Sequence, residues 1–123
     1  MSPEKIALIG GSGAYNLLQT EVFGKEISCE TVLTPFGPSA PIHHFYFDNK
    51  NFLFLSRHGE DNYSLTASFI NYRANIYALK KCGIETIVSW SGPGIINKAF
   101  RPGEFILPND LIDETKNRES KWQ

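Results

Sequence analysis

Ala67-Ser68-Phe69-Ile70-Asn71-Tyr72-Arg73-Ala74-Asn75-Ile76-Tyr77-Ala78-Leu79-Lys80-Lys81-Cys82-Gly83 is the stretch that decides the architecture. Phe69, Tyr72, Ile76 and Leu79 recur at intervals of three and four, the period of one helical face, and Gly83 stands where a helix would end. The spacing predicts a helix from about Ala67 to Cys82. Strand-like sequence flanks it, Asn51 to Ser56 before and Glu85 to Trp90 after. Strand, helix, strand implies a right-handed crossover and a partly parallel sheet.

Upstream, Lys5 to Ile9 is a short apolar run halted by Gly10-Gly11-Ser12-Gly13, which reads as a buried strand delivering a tight turn. Glu26 to Leu33 is compatible with a second strand, closed by Thr34-Pro35-Phe36-Gly37-Pro38. Ile42 to Phe47 and Asn51 to Ser56, separated by Asp48-Asn49-Lys50, look like a hairpin. Downstream, Ser91-Gly92-Pro93-Gly94 breaks the chain, and a further short strand is expected through Glu104-Phe105-Ile106-Leu107. The fold class expected is α/β, a mixed, partly parallel sheet with flanking helices, with residues 1–123 forming a single domain.

Composition narrows the function classes. Twelve basic residues against thirteen acidic ones leave a formal charge of -1, so there is no broad basic face for nucleic acid and no polybasic membrane anchor. Any phosphate recognition must be local. No apolar run is long enough to span a bilayer or to form a signal-peptide core. Cys29 and Cys82 lack the spacing of a zinc or redox motif and read as buried, reduced thiols. A cytoplasmic location is expected.

Three strand ends carry the chemistry. Glycines after the first strand let backbone N–H groups approach an anion, although the dinucleotide and P-loop fingerprints both fail and a plain tight turn remains the alternative. Arg57 and His58 follow the second hairpin strand, where a guanidinium fork could grip two phosphate oxygens and an imidazole could donate to a third. A surface arginine and a capping histidine are the bland reading. Ser89, Ser91 and the backbone at Gly92 offer hydroxyl and N–H donors where another strand ends, the side of an open α/β sheet on which ligands collect. Ser12 lacks a nucleophile-elbow pattern, and no His, Cys or carboxylate cluster has metal-ligand spacing. His43 and His44 alternate faces of a strand, one packed and one exposed, and are assigned no role.

Ile6-Ala7-Leu8-Ile9-Gly10-Gly11-Ser12-Gly13, Thr34-Pro35-Phe36-Gly37, Arg57-His58-Gly59, Asn71-Tyr72-Arg73-Ala74-Asn75, Arg101-Pro102-Gly103-Glu104 and Asp110-Leu111-Ile112-Asp113 follow one another in an order that resembles the methylthioadenosine phosphorylases and the related trimeric purine nucleoside phosphorylases. The resemblance runs from about Ile6 to Arg118 and matches the N-terminal half of a family member. It implies phosphate held by Ser12, Arg57, His58, Ser91 and Gly92, with no metal and no cofactor beyond inorganic phosphate as co-substrate. The activity implied is that of a pentosyltransferase of purine salvage, in which phosphorolysis of a purine nucleoside or methylthioadenosine gives free purine and a sugar 1-phosphate.

The sequence also departs from the family pattern. Glu60-Asp61-Asn62-Tyr63-Ser64 has no histidine for the sugar, and Trp90 is bulky enough to reshape the pocket. The base- and ribose-reading segments belong to the C-terminal half, so no catalytic residue is identified. Activity of the 123 residues alone is expected to be impaired. The alternative implied is an inactive half-domain that binds phosphate or nucleotide, or that pairs with a separate C-terminal half. Homo-oligomerisation, as in the family's trimers, or such a partner is expected, with Phe105, Ile106, Leu107, Leu111 and Ile112 lining the exposed region.

Overall fold

The structure is a computed structural model that describes residues 5–61 and 64–116. Strand β1 (Ile6–Gly10) leads through short 3₁₀ turns at Ala14–Gln19 and Glu21–Phe23 into β2 (Lys25–Glu30). A two-residue pair, β3 (Leu33–Thr34) and β4 (Gly37–Pro38), then precedes the hairpin β5 (Ile42–Phe47) and β6 (Lys50–Ser56). A 3₁₀ turn at Ala67–Phe69, helix α1 (Tyr72–Lys81) and β7 (Thr86–Trp90) complete the regular elements. Five strands form one sheet in the order β2-β5-β6-β1-β7. β1 runs parallel to both β6 and β7, whereas β5 is antiparallel to β2 and β6, so the sheet is mixed as expected.

The β5–β6 turn is tighter than the sequence suggests. Asp48 and Asn49 both take positive φ, 47° and 60°, which is the two-residue geometry whose twist matches a hairpin, and Lys50 already pairs with Phe47. The second strand is shorter than expected: it ends at Glu30, and Leu33 and Thr34 turn away to pair with Pro38 and Gly37. Thr34 holds that turn, its hydroxyl donating to Gly37 O at 2.7 Å and accepting from Phe36 N at 3.1 Å.

Helix α1 also starts later than its apolar period predicts. Ile70 is extended, and Asn71 caps the helix by accepting from Ala74 N at 3.1 Å while its amide donates to Phe36 O at 2.7 Å. The buried face is Ala74, Asn75, Ala78 and Leu79, whereas Phe69 and Ile76 are about half exposed. Two alanines one turn apart let the helix backbone come close to the sheet, and Asn75 Oδ1 accepts from Ala40 N, in the segment leading into β5, at 2.8 Å. At the other end Gly83 takes φ +82°, and Gly83 N and Ile84 N donate to Lys80 O and Leu79 O. This is a Schellman ending, and Ile84 and Leu79 meet in the same apolar core.

Each face of the sheet has its own core. On one side Ala7, Ile42, Leu53 and Leu55 pack against Ala78 and Leu79 of α1; on the other, Phe45 and Phe54 pack against Ala14 and Phe23 of the 3₁₀ turns. Beyond β7 one expectation fails. Residues 104–107 are not a strand: Arg101 N is bound by Glu104 Oε2, Glu104 N by Arg101 O, and the segment has no ladder partner among the described residues. A strand is made by hydrogen bonds to a neighbour, and without one Phe105, Leu107, Leu111 and Ile112 are at least 80% exposed. No helix among the described residues is long and apolar enough to cross a membrane.

Candidate functional site

The three strand ends singled out in the sequence are neighbours in space, because β6, β1 and β7 run parallel and in step. Gly10 lies opposite Ser56 on one side and Trp90 on the other. The residues that follow, Gly11, Arg57 and Ser91, therefore emerge at the same edge. Backbone bonds hold them there: Arg57 N donates to Gly10 O at 3.1 Å, and Gly11 N to Trp90 O at 2.7 Å.

Gly11 is the junction. A Cβ added to it would meet Trp90 O at 2.8 Å, Arg57 Nη2 at 3.0 Å and Ser91 Cα at 3.1 Å. Only glycine lets the arginine head lie over the turn while the last strand closes against it. Gly10 is equally crowded, by Ala14 and the ring of Phe54, so the turn is pressed onto the aromatic core beneath. Ser12 and Ser91 are exposed, as is Gly92; Arg57 and His58 are half-buried. Trp90 contributes through its carbonyl, and its side chain is 41% exposed.

His58 is oriented by its neighbours. Nδ1 donates to Leu65 O at 2.9 Å, which fixes the tautomer, and Nε2 accepts from Arg57 Nε at 3.4 Å. The arginine is thus fixed by its own successor while its terminal nitrogens stay at the edge of the turn. The loop they share is closed by Ser56 Oγ donating to Gly59 O at 3.0 Å and Leu65 N to His58 O at 3.1 Å. Of the departure noted between Glu60 and Ser64, Asn62 and Tyr63 lie outside the described residues.

One constellation carries no sequence signal. His43, assigned no role above, is buried with both ring nitrogens facing carboxylates: Nδ1 lies 3.2 Å from Glu26 Oε2, and Nε2 binds Glu60 Oε1. Both partners are 17 residues away in sequence, a separation with no local period, so only the tertiary fold could reveal them. His44 lies on the opposite face as expected, facing Glu30 Oε1 at 3.5 Å, but its side chain is only 19% exposed, so it is partly packed rather than the exposed histidine expected. Neither cysteine is buried as expected: Cys82 is half-buried, and Cys29, on the edge strand β2, is exposed with its Sγ 3.7 Å from His43 Nε2. Its thiol is raised above the ordinary 9.0, first by desolvation and then by the carboxylates of Glu60, Glu26 and Glu30.

That shift has a sign. A thiol whose titration is raised by folding keeps its contribution to stability below the unfolded value and loses it as pH rises toward the folded one. Alkylation follows the thiolate fraction, so Cys29 is expected to react with iodoacetamide more slowly than a free thiol at neutral pH, with the rate rising only on the alkaline side. Mass spectrometry of the Cys29 peptide across a pH series measures this; a rate at neutral pH matching glutathione would contradict it. Among the described residues no His, Cys, Asp or Glu group is arranged to hold a metal ion.

With the geometry in view, comparison with known proteins is specific. The family model described as Phosphorylase superfamily matches residues 5–123. A probable 6-oxopurine nucleoside phosphorylase of Thermococcus kodakarensis is 40% identical over 114 residues, covering 93% of this chain and 40% of its own. An S-methyl-5'-thioadenosine phosphorylase of Saccharolobus solfataricus is 42% identical over 117 residues, covering 93% and 41%. Among solved structures, the methylthioadenosine phosphorylase of Schistosoma mansoni in its apo form superposes with a TM-score of 0.81 at 32% identity, over 94% of this chain and 40% of that one. The chain spans about two fifths of the length of the curated relatives it matches.

Proposed function

The chain belongs to the phosphorylase superfamily, and from that premise we propose that it supplies the phosphate-binding part of a site for phosphorolysis of a purine nucleoside or methylthioadenosine. The observation that carries the reading is the meeting of Gly11, Arg57 and Ser91 at one sheet edge. Phosphate is held there by the hydroxyls of Ser12 and Ser91, the guanidinium of Arg57 and the N–H of Gly92, while the imidazole of His58, whose N–H is given to Leu65 O, steadies the guanidinium beside it. Hydrogen bonds to a charged acceptor are the strong ones, and the planar guanidinium matches two phosphate oxygens at once.

In the reaction, a phosphate oxygen forms a bond to the anomeric carbon as the bond from that carbon to the purine nitrogen breaks. The bonding pair leaves with the base, which takes up a proton, and a sugar 1-phosphate remains. What this chain contributes is the placing of the phosphate anion against the sugar. Phosphate is a co-substrate, and neither metal nor cofactor enters. The proposal extends to residues 1–123 acting as a single domain and to a cytoplasmic role in purine salvage.

A second reading is favoured by the exposed apolar residues of 105–112 and by the share of the relatives' length that the chain covers. Under it, residues 1–123 bind phosphate but turn over nucleoside only in a homo-oligomer or together with a C-terminal half, because the groups that receive the base lie elsewhere. General acid assistance alone is worth about 10²–10⁴-fold. Residues 1–123 assayed alone with methylthioadenosine, inosine and adenosine in phosphate buffer are therefore expected to release almost no free base. Turnover at a rate normal for a phosphorylase would refute the second reading. Failure to bind phosphate at all would refute both.

A further inference from the structure

We propose that His43 is a positioning residue for the Arg57–His58 loop, acting through the pair its imidazole forms with Glu60 while Glu26 holds the opposite ring nitrogen. The inference rests on the phosphate site proposed above. His43 lies on β5 opposite Phe54 of β6, its side chain 8% exposed and flanked by the rings of Phe45 and Phe54. Each ring nitrogen of His43 has a carboxylate partner, one on either side, so the imidazole is held from both edges. Buried polar groups are kept in place by their hydrogen bonds, and here two carboxylates share one histidine.

A local irregularity makes this arrangement possible. Cys29 lies opposite His43, and Glu26 opposite Phe45, so both share the face of His43 although they are three residues apart. In a regular strand that spacing would put them on opposite faces. The register shift between Glu26 and Ser28 corrects it, as a bulge re-aims the side chains on one side of itself. Glu26 is thereby turned onto the far side of the imidazole, fixing the ring plane against which Glu60 docks.

Glu60 follows His58 by two residues. The loop is anchored by its own strand end through Ser56 and Gly59, by Leu65 through His58, and by β5 through the Glu60–His43 pair. The last anchor runs toward the β2 side of the sheet, away from β1 and β7. It sets how far the loop can swing from the glycine turn, and so where Arg57 stands relative to Ser12 and Ser91.

The test is phosphate titration of the 123-residue chain by calorimetry, with amide exchange followed by NMR, for Glu60→Gln, His43→Gln, the double variant and Arg57→Ala. Glu60→Gln and His43→Gln are each expected to weaken phosphate binding by about three- to tenfold, and the double variant no more than the worse single, because the two form one link. Exchange should quicken at residues 57–61 and not across β1, β6 and β7. Should His43→Gln fail to fold, the half-exposed Glu60 keeps the question open to measurement. Unchanged affinity in folded Glu60→Gln, with Arg57→Ala still impaired, overturns the positioning role and spares the site; so do losses that add in the double variant. A wild-type chain that takes up no phosphate overturns the site and the positioning role together.

Discussion

Arg57→Ala is expected to lower phosphate affinity more than any other single change at the sheet edge, by about tenfold to a hundredfold. The basis is the loss of a charge-assisted, two-pronged contact, worth on the order of 1.5–3 kcal/mol. Two features of the structure place this residue above Ser12 or Ser91. Its guanidinium lies against Gly11, at the meeting point of three strands, and its Nε donates to His58 Nε2. Removing it therefore also removes the group that faces the imidazole. Arg57→Lys should recover only part of the loss, since an ammonium restores the charge but not the planar fork. Calorimetric titration measures both variants, and an Arg57→Ala chain that binds phosphate as the wild type does would remove Arg57 from the site.

Phe54→Ala should be the most damaging single change to stability, costing about 3–5 kcal/mol. Phe54 is wholly buried in the middle of β6, its ring 4.8 Å from that of Phe23 and in the same core as Phe45 and Ala14. The cavity left cannot close easily, because the sheet fixes one wall and the 3₁₀ turns the other. A domain of ordinary size has only about 5–15 kcal/mol in hand, so roughly a fifth or more would go. The same ring also sits beneath Gly10, so phosphate affinity should fall along with the denaturation midpoint. Urea unfolding followed by circular dichroism tests the first point; a loss below about 1 kcal/mol would mean that the aromatic layer repacks.

Much of this was legible in the residues. Alternation and turn residues located β1, β5, β6 and β7, and the glycines and the Arg57-His58 pair marked the edge where the strands converge. Side-chain size misled the reading of α1: Phe69 and Ile76 have the right period, but the face turned inward is built on Ala74 and Ala78, whose smallness allows closer packing than a bulky residue would. At residues 104–107 the apolar pattern is real, yet a strand exists only through hydrogen bonds to a neighbour, and a sequence window does not contain the neighbour. The His43 link was invisible for a related reason. It depends on a bulge at Ile27 and on partners 17 residues to either side, neither of which leaves a periodic trace.

The position of β1 bears on the order of events during folding. The β5–β6 hairpin joins residues close in sequence and can form early, whereas β1, the first strand of the chain, sits between β6 and the last strand, β7. Closing a loop of that length costs entropy before any contact repays it, so pairing of Ile6–Gly10 with Thr86–Trp90 falls late on the pathway. Gly11 is bonded to Trp90, and Ser91 follows it, so the edge proposed to hold phosphate comes into being only at that late step. An anion that binds the finished edge and not its precursors would act chiefly as a brake on unfolding, lengthening the life of the native state while leaving the early hairpin untouched.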